Sequence, residues 1–143
     1  MHAGSAVAAA ATFMWLGMVL AISFLEAPLK FRAPGVTLQV GLGIGRLVFR
    51  ALNACEAVLA VVVIVGLLVG RTAADAVVAA AVAVAMLAVQ LVFVRPALTR
   101  RSDRVLAGAD GPRSRAHLVY VGVEVVKVAA LMVTGVLLFT AAA

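Results

Sequence analysis

Charged and amide side chains lie inside apolar runs long enough to cross a bilayer, and this leaves few folds open to the chain. The runs cover residues 5–25, 47–70, 76–94 and 116–140. Each is close to the roughly 20 residues that a helix needs to span hydrocarbon. Asn53, Glu56, Gln90, Glu124 and Lys127 fall within them. A charge at the centre of a lone span costs about 2.5–3.5 kcal/mol on insertion scales. These side chains must therefore face one another or a wet cavity. Of the 143 residues, 66% are hydrophobic and 13% charged, well outside the range of a soluble domain. The expected fold is all-α: one domain, residues 1–143, an up-down four-helix transmembrane bundle.

Pro28 and Pro34 follow the first run, and Arg95-Pro96 closes the third. Proline disfavours helix continuation, so both helices are expected to end there. The first run lacks a basic n-region, with His2 the only candidate ahead of it, and ends in Ser23-Phe24-Leu25-Glu26, which does not read as a signal-peptide cleavage site. It is expected to remain as a transmembrane helix. The start of the second helix is blurred by Gly41, Gly43 and Gly45. The link at 71–75 is short, which makes the second and third helices antiparallel neighbours. The other two links are expected to run to about 20 residues each, from the gaps between the runs.

Orientation follows from the basic residues. Lys30, Arg32, Arg46 and Arg50 flank the first long link; Arg95, Arg100, Arg101, Arg104, Arg113 and Arg115 flank the second. The opposite side carries only Arg71. The positive-inside rule puts both long links in the cytoplasm of a multi-pass cell-membrane protein, with both termini outside. The net charge of +6 thus reads as orientation and not as affinity for nucleic acid, which is not expected as a partner. Anionic lipid headgroups of the bilayer suffice as partners for the basic links.

With that orientation the polar residues gather at one level. Arg46, Arg50, Asn53 and Glu56 share a face of the second helix, spaced four, three and three. His117, Tyr120, Glu124 and Lys127 share a face of the fourth. Gln90 and Arg95 reach the same depth on the third, and Ser23 and Glu26 on the first. The candidate binding cluster is therefore Glu26, Arg50, Asn53, Glu56, Gln90, Arg95, His117, Tyr120, Glu124 and Lys127. Expected pairs are Glu124 with Lys127, Glu56 with Arg50 or Lys127, and Glu26 with Arg95. A self-satisfied network that fixes helix register is the competing explanation for the same residues.

Catalytic and metal chemistry find little support. A di-iron bundle uses Glu-x-x-His pairs, and none occurs. His117 has no obvious second axial ligand for a haem, and His2 sits at a terminus expected to fray. No nucleophile stands beside a His–Glu pair. Neither a metal nor another cofactor is expected, and enzymatic activity is less expected than binding. Cys55, the single cysteine, cannot form an intrachain disulfide and is expected as a buried filler. Trp15, mid-span, is expected to be packing.

Gly41 and Gly45, and the alanines at 6–11 and 79–85, allow close helix approach within the bundle or across an oligomer face. Pro28, Arg32 and Glu56 correspond at one constant offset to Pro96, Arg100 and Glu124, the mark of a parallel internal repeat.

Two stretches carry a resemblance. One runs from Glu26-Ala-Pro-Leu-Lys-Phe-Arg through Gly45-Arg-Leu-Val-Phe-Arg-Ala-Leu-Asn53. The other is Arg95-Pro-Ala-Leu-Thr-Arg-Arg-Ser-Asp103 with His117, Tyr120, Glu124 and Lys127. Over most of its length the chain resembles small bacterial four-span membrane proteins of unknown function. The resemblance implies the four-helix membrane fold and no activity. Three functions stay open. The favoured one is binding or transport of a small polar or ionic solute in an inward-facing polar pocket, with Glu56 and Glu124 holding a cation or proton. The second is an accessory or assembly subunit of a homo-oligomer or larger membrane complex. The third is a small membrane enzyme acting on a lipid-soluble substrate.

Overall fold

His2 and Thr37 start the first two helices by the same device. The His2 ring accepts from the Gly4 backbone N–H at 3.2 Å, and Thr37 Oγ1 accepts from Val40 N–H at 3.2 Å. Each satisfies an amide that the helix cannot. The computed structural model describes residues 2–107 and 115–142, with side chains for 2–107 and 117–142. The chain forms four helices: α1, Ala3–Lys30; α2, Leu38–Val69; α3, Ala74–Leu106; and α4, Arg115–Ala141. All four are long and apolar enough to cross a membrane. Helix α1 packs on α2 and on α4, and α3 packs on α4, with thinner contact between α2 and α3. This is an up-down four-helix bundle, and the protein is a small polytopic membrane protein.

The bundle is apolar outside as well as inside. Leu47, Leu68, Phe93 and Phe139 are each about two-thirds or more exposed, on the surface that lipid would cover. The core near the termini is built of Ala8, Trp15, Val63, Ala83, Leu131 and their neighbours. There α1 and α2 touch backbone to backbone. A Cβ on Gly4 would come 2.6 Å from the Gly70 nitrogen, and one on Gly66 would come 2.8 Å from the Gly4 oxygen. Ala8, from the alanine run expected to allow close approach, shares this contact, whereas the expected glycines Gly41 and Gly45 do not. Gly41 instead receives the Phe31 ring of the first link, and Gly45 lies beside Lys30. Cys55 is exposed and not a buried filler. It sits one residue from the inward-facing Glu56, about 100° around a 3.6-residue turn.

Neither proline ends its helix, which corrects the expected boundaries. Helix α1 runs through Pro28 to Lys30, and α3 through Pro96 to Leu106. Each widens first into a π-helical segment, Leu20–Glu26 in α1 and Gln90–Val94 in α3. A proline ring clashes with the carbonyl one turn earlier and lacks an N–H to donate. The wider turn makes room for the ring. In both helices the residue just before the proline donates five residues back: Ala27 N–H to Ile22 O, and Arg95 N–H to Gln90 O. The same solution at the same offset matches the internal repeat. The first link is then short, covering 31–37, with Gly35 at φ +80 where a residue with a Cβ would be strained. Part of the second link lies outside the described residues, as do the Arg113 and Arg115 side chains.

Candidate functional site

Lys127 is completely buried, and its ammonium meets side chains from three helices, donating hydrogen bonds to Glu56 and Gln90 and forming an ion pair with Glu124. Its Nζ lies 2.5 Å from Glu56 Oε2 on α2, 2.7 Å from Gln90 Oε1 on α3, and 2.6 Å from Glu124 Oε1 one turn back on α4. Helix α1 completes the ring: Trp15 Nε1 donates to Glu56 Oε2 at 2.7 Å. Glu56, Gln90 and Glu124 are each 1% exposed. The other oxygen of Glu124 accepts from Tyr120 OH at 2.5 Å and from Ser23 Oγ at 2.9 Å. Three buried atoms of the cluster have no hydrogen-bond partner: Glu56 Oε1, Gln90 Nε2 and Glu124 Oε1, the last held by Lys127 as an ion pair only.

The π segments help to build this cluster. Ser23 lies within the one in α1, and Gln90 begins the one in α3. Such insertions shift the helix face by part of a turn and concentrate at functional sites. The face period of α4 does the rest, bringing Tyr120, Glu124 and Lys127 into line.

Next to the cluster, toward the basic end of the bundle, a cavity of about 500 Å³ opens. Ser23 and Tyr120 lie on its wall; Glu56, Glu124 and Lys127 stand behind them. Among the described residues every charged side chain on the wall is basic: Lys30, Arg46, Arg50, Arg95 and Arg101, joined by His117. Asn53 and Thr99 add neutral polar groups, and Phe31, Phe49 and Leu98 add apolar surface. Two wall cations are partly neutralised. Lys30 lies 3.7 Å from Glu26, and Arg46 pairs with Asp103 at 2.7 Å. The Arg95 guanidinium lies over the Phe49 ring, 5.3 Å from its centroid, and Phe49 meets Tyr120 edge-on. Among the described residues Arg50 and Arg101 have no ion-pair partner.

Depth separates the two layers. About 20 residues cover the hydrocarbon. Counted from the termini-side helix ends, they reach Ile22, Arg50, Phe93 and Gly122. The Lys127 cluster lies inside that boundary. The cavity lies at and beyond it, between the basic ends of the long helices α2 and α3.

The ten residues expected as one cluster therefore divide. Glu56, Gln90, Glu124 and Lys127 form the buried network, and Tyr120 joins it to the cavity. Arg50, Asn53, Arg95 and His117 line the cavity. Glu26 does neither; it pairs with Lys30 of its own helix, one turn away, and not with Arg95. Glu56 pairs with Lys127 and not with Arg50. Trp15 is more than packing, since it donates to Glu56. The signal was present in the sequence: a mid-span indole N–H must find an acceptor. Lys30, Phe31 and Arg101 join the site because α1 and α3 continue past Pro28 and Pro96. Among the described residues no group of three His, Cys, Asp or Glu side chains could hold a metal ion.

Comparison with protein-family models, with curated proteins and with solved structures finds no match.

Proposed function

We propose that this membrane protein binds, and carries, a small anion in the basic cavity. The supporting observation is the wall itself. Among the described residues five Lys and Arg side chains line it, and no carboxylate does. Glu26 and Asp103 offset two of the five, which leaves a net positive chamber in contact with low-dielectric helices. Guanidinium groups present planar forks that fit carboxylate and phosphate oxygens. The aromatic and leucine surface beside them suits a ligand with an apolar part. The basic end faces the cytoplasm on this reading, since ten of the chain's twelve Lys and Arg flank the two links at that end.

Phosphate and carboxylate groups reach such a site as free solutes or as lipid headgroups. Calorimetry on the protein in neutral-lipid nanodiscs, with inorganic phosphate and then succinate, reads the solute. Mass spectrometry of lipid retained from membranes rich in phosphatidylglycerol reads the headgroup. Each charge-assisted bond contributes about 1.5–3 kcal/mol. Arg50→Gln and Arg95→Gln are each expected to weaken binding about tenfold or more. Flux of the same probe into liposomes distinguishes a carrier from a binding protein. If neither solute nor anionic lipid binds, the anion reading fails and an accessory role in a larger membrane complex takes its place.

A further inference from the structure

We propose that the buried Glu56–Lys127–Glu124 cluster is a proton-binding site, connected to the basic cavity through the hydroxyls of Tyr120 and Ser23. The proton site rests on the geometry of the cluster. Its linkage to an anion rests on the cavity reading above.

The first ground is charge. Two carboxylates face one ammonium, and all three side chains are at most 1% exposed. Fully ionised, the cluster carries one uncompensated negative charge inside hydrocarbon. One added proton makes it neutral, which removes the charge-desolvation penalty. The second ground is the unpartnered oxygen Glu56 Oε1, buried within the cluster. An unsatisfied oxygen costs more on a carboxylate than on a neutral acid. The third is occupancy. The Lys127 ammonium already lies 2.5 Å from Glu56, 2.7 Å from Gln90 and 2.6 Å from Glu124, so the place of a metal cation is taken. A proton needs no volume.

The route is equally local. Tyr120 and Ser23 line the cavity, and both hydroxyls donate to Glu124 Oε2. Tyr120 passes its proton to Glu124 while its oxygen takes another from the cavity side, and Ser23 can do the same. Lys127 redistributes the charge by giving a proton to Glu56 and taking one from Glu124. The atoms balance, and the proton belongs to the coupled cluster and not to one residue.

The groups facing the cluster set the sign of the linkage. Helix α1 contributes Trp15 and Ser23, both neutral donors. Helix α2 places Arg50, α3 places Arg95, and α4 places His117 on the cavity side. The Arg50 and Arg95 guanidinium groups oppose a proton on the cluster. An anion seated among them cancels part of their field, so anion binding draws a proton in. Reciprocity then requires anion affinity to fall as pH rises.

Infrared difference spectroscopy of the full chain in nanodiscs reads the site with no anion present. Wild type is expected to show a protonated-carboxyl C=O band that titrates with pH and is lost in Glu56→Gln. That variant leaves one carboxylate against one ammonium, a neutral pair, and is expected to fold. Trp15 is the single tryptophan, so its emission should titrate along with the band. Calorimetry with phosphate in two buffers of different ionisation enthalpy should show uptake of about one proton per anion in wild type and none in Glu56→Gln. In the double variant Tyr120→Phe/Ser23→Ala, uptake should lag binding by at least tenfold in rate. No protonated-carboxyl band at any pH where wild type is folded overturns the proton site. A titrating band without binding of phosphate, succinate or anionic lipid upholds the proton site and removes the anion reading. Binding whose affinity is independent of pH in wild type overturns the linkage.

Discussion

Lys127 lies at a depth where a lone ammonium is costly, and its two hydrogen bonds and two carboxylate ion pairs explain how it is tolerated. Such a network makes each member expensive to remove singly. Lys127→Met leaves two carboxylates facing each other, a loss on the order of 3–5 kcal/mol. The double change Lys127→Met/Glu56→Gln removes one of those charges and is expected to recover part of that loss. Thermal unfolding in detergent closes the cycle; additive losses would show that the pair is not coupled. Trp15→Phe keeps the apolar ring but withdraws one donor from Glu56, and should cost about 1–3 kcal/mol. The sequence supplied Glu124 as a partner of Lys127 because their spacing is helical, and left Glu56 between Arg50 and Lys127. It did not supply Trp15, because an indole among alanines reads first as bulk. The indole's acceptor lies 41 residues away on another helix.

At the scale of the helix, two local features decide where the site residues point. The π segments before Pro28 and Pro96 keep α1 and α3 helical beyond the prolines and bring Ser23 and Gln90 inward. A rule that ends helices at proline misplaces Lys30, Phe31 and Arg101, the residues that close the cavity. The rule fails because a widened turn costs less than leaving broken backbone groups in low dielectric. The other feature is the contact of Gly4 with Gly66 and Gly70. Gly66→Val would force atoms into the α1 backbone, since even a Cβ lies 2.8 Å from the Gly4 oxygen. Overpacking of this kind costs about 1–3 kcal/mol or more. Gly17→Ala and Gly122→Ala meet open space and should stay within about 1 kcal/mol of wild type. Equal melting temperatures for Gly66→Val and Gly17→Ala would contradict the close approach.

Across the whole molecule, the basic residues and the even number of spans act together. Both termini leave the bundle at one end, and the cavity opens at the other. A reporter fused after residue 143 should be active outside the cytoplasm, and a cysteine placed at Thr99 should react only with reagent supplied from the cytoplasmic side. The reverse labelling would invert the proposed orientation and put the anion cavity on the outer face. The sequence by itself determined the membrane, the number of helices, the side on which the charge gathers and the face on which each polar residue lies. All of these follow from local composition and from a fixed helical period. It left the ten polar residues as one cluster. Only the tertiary structure divided them into a sealed acid–lysine network and an open basic chamber. That division depends on the relative depth and rotation of four helices. Both are set by non-local contacts, the glycine approach of α1 to α2 and the widened turns ahead of the prolines, which no periodicity within one helix encodes.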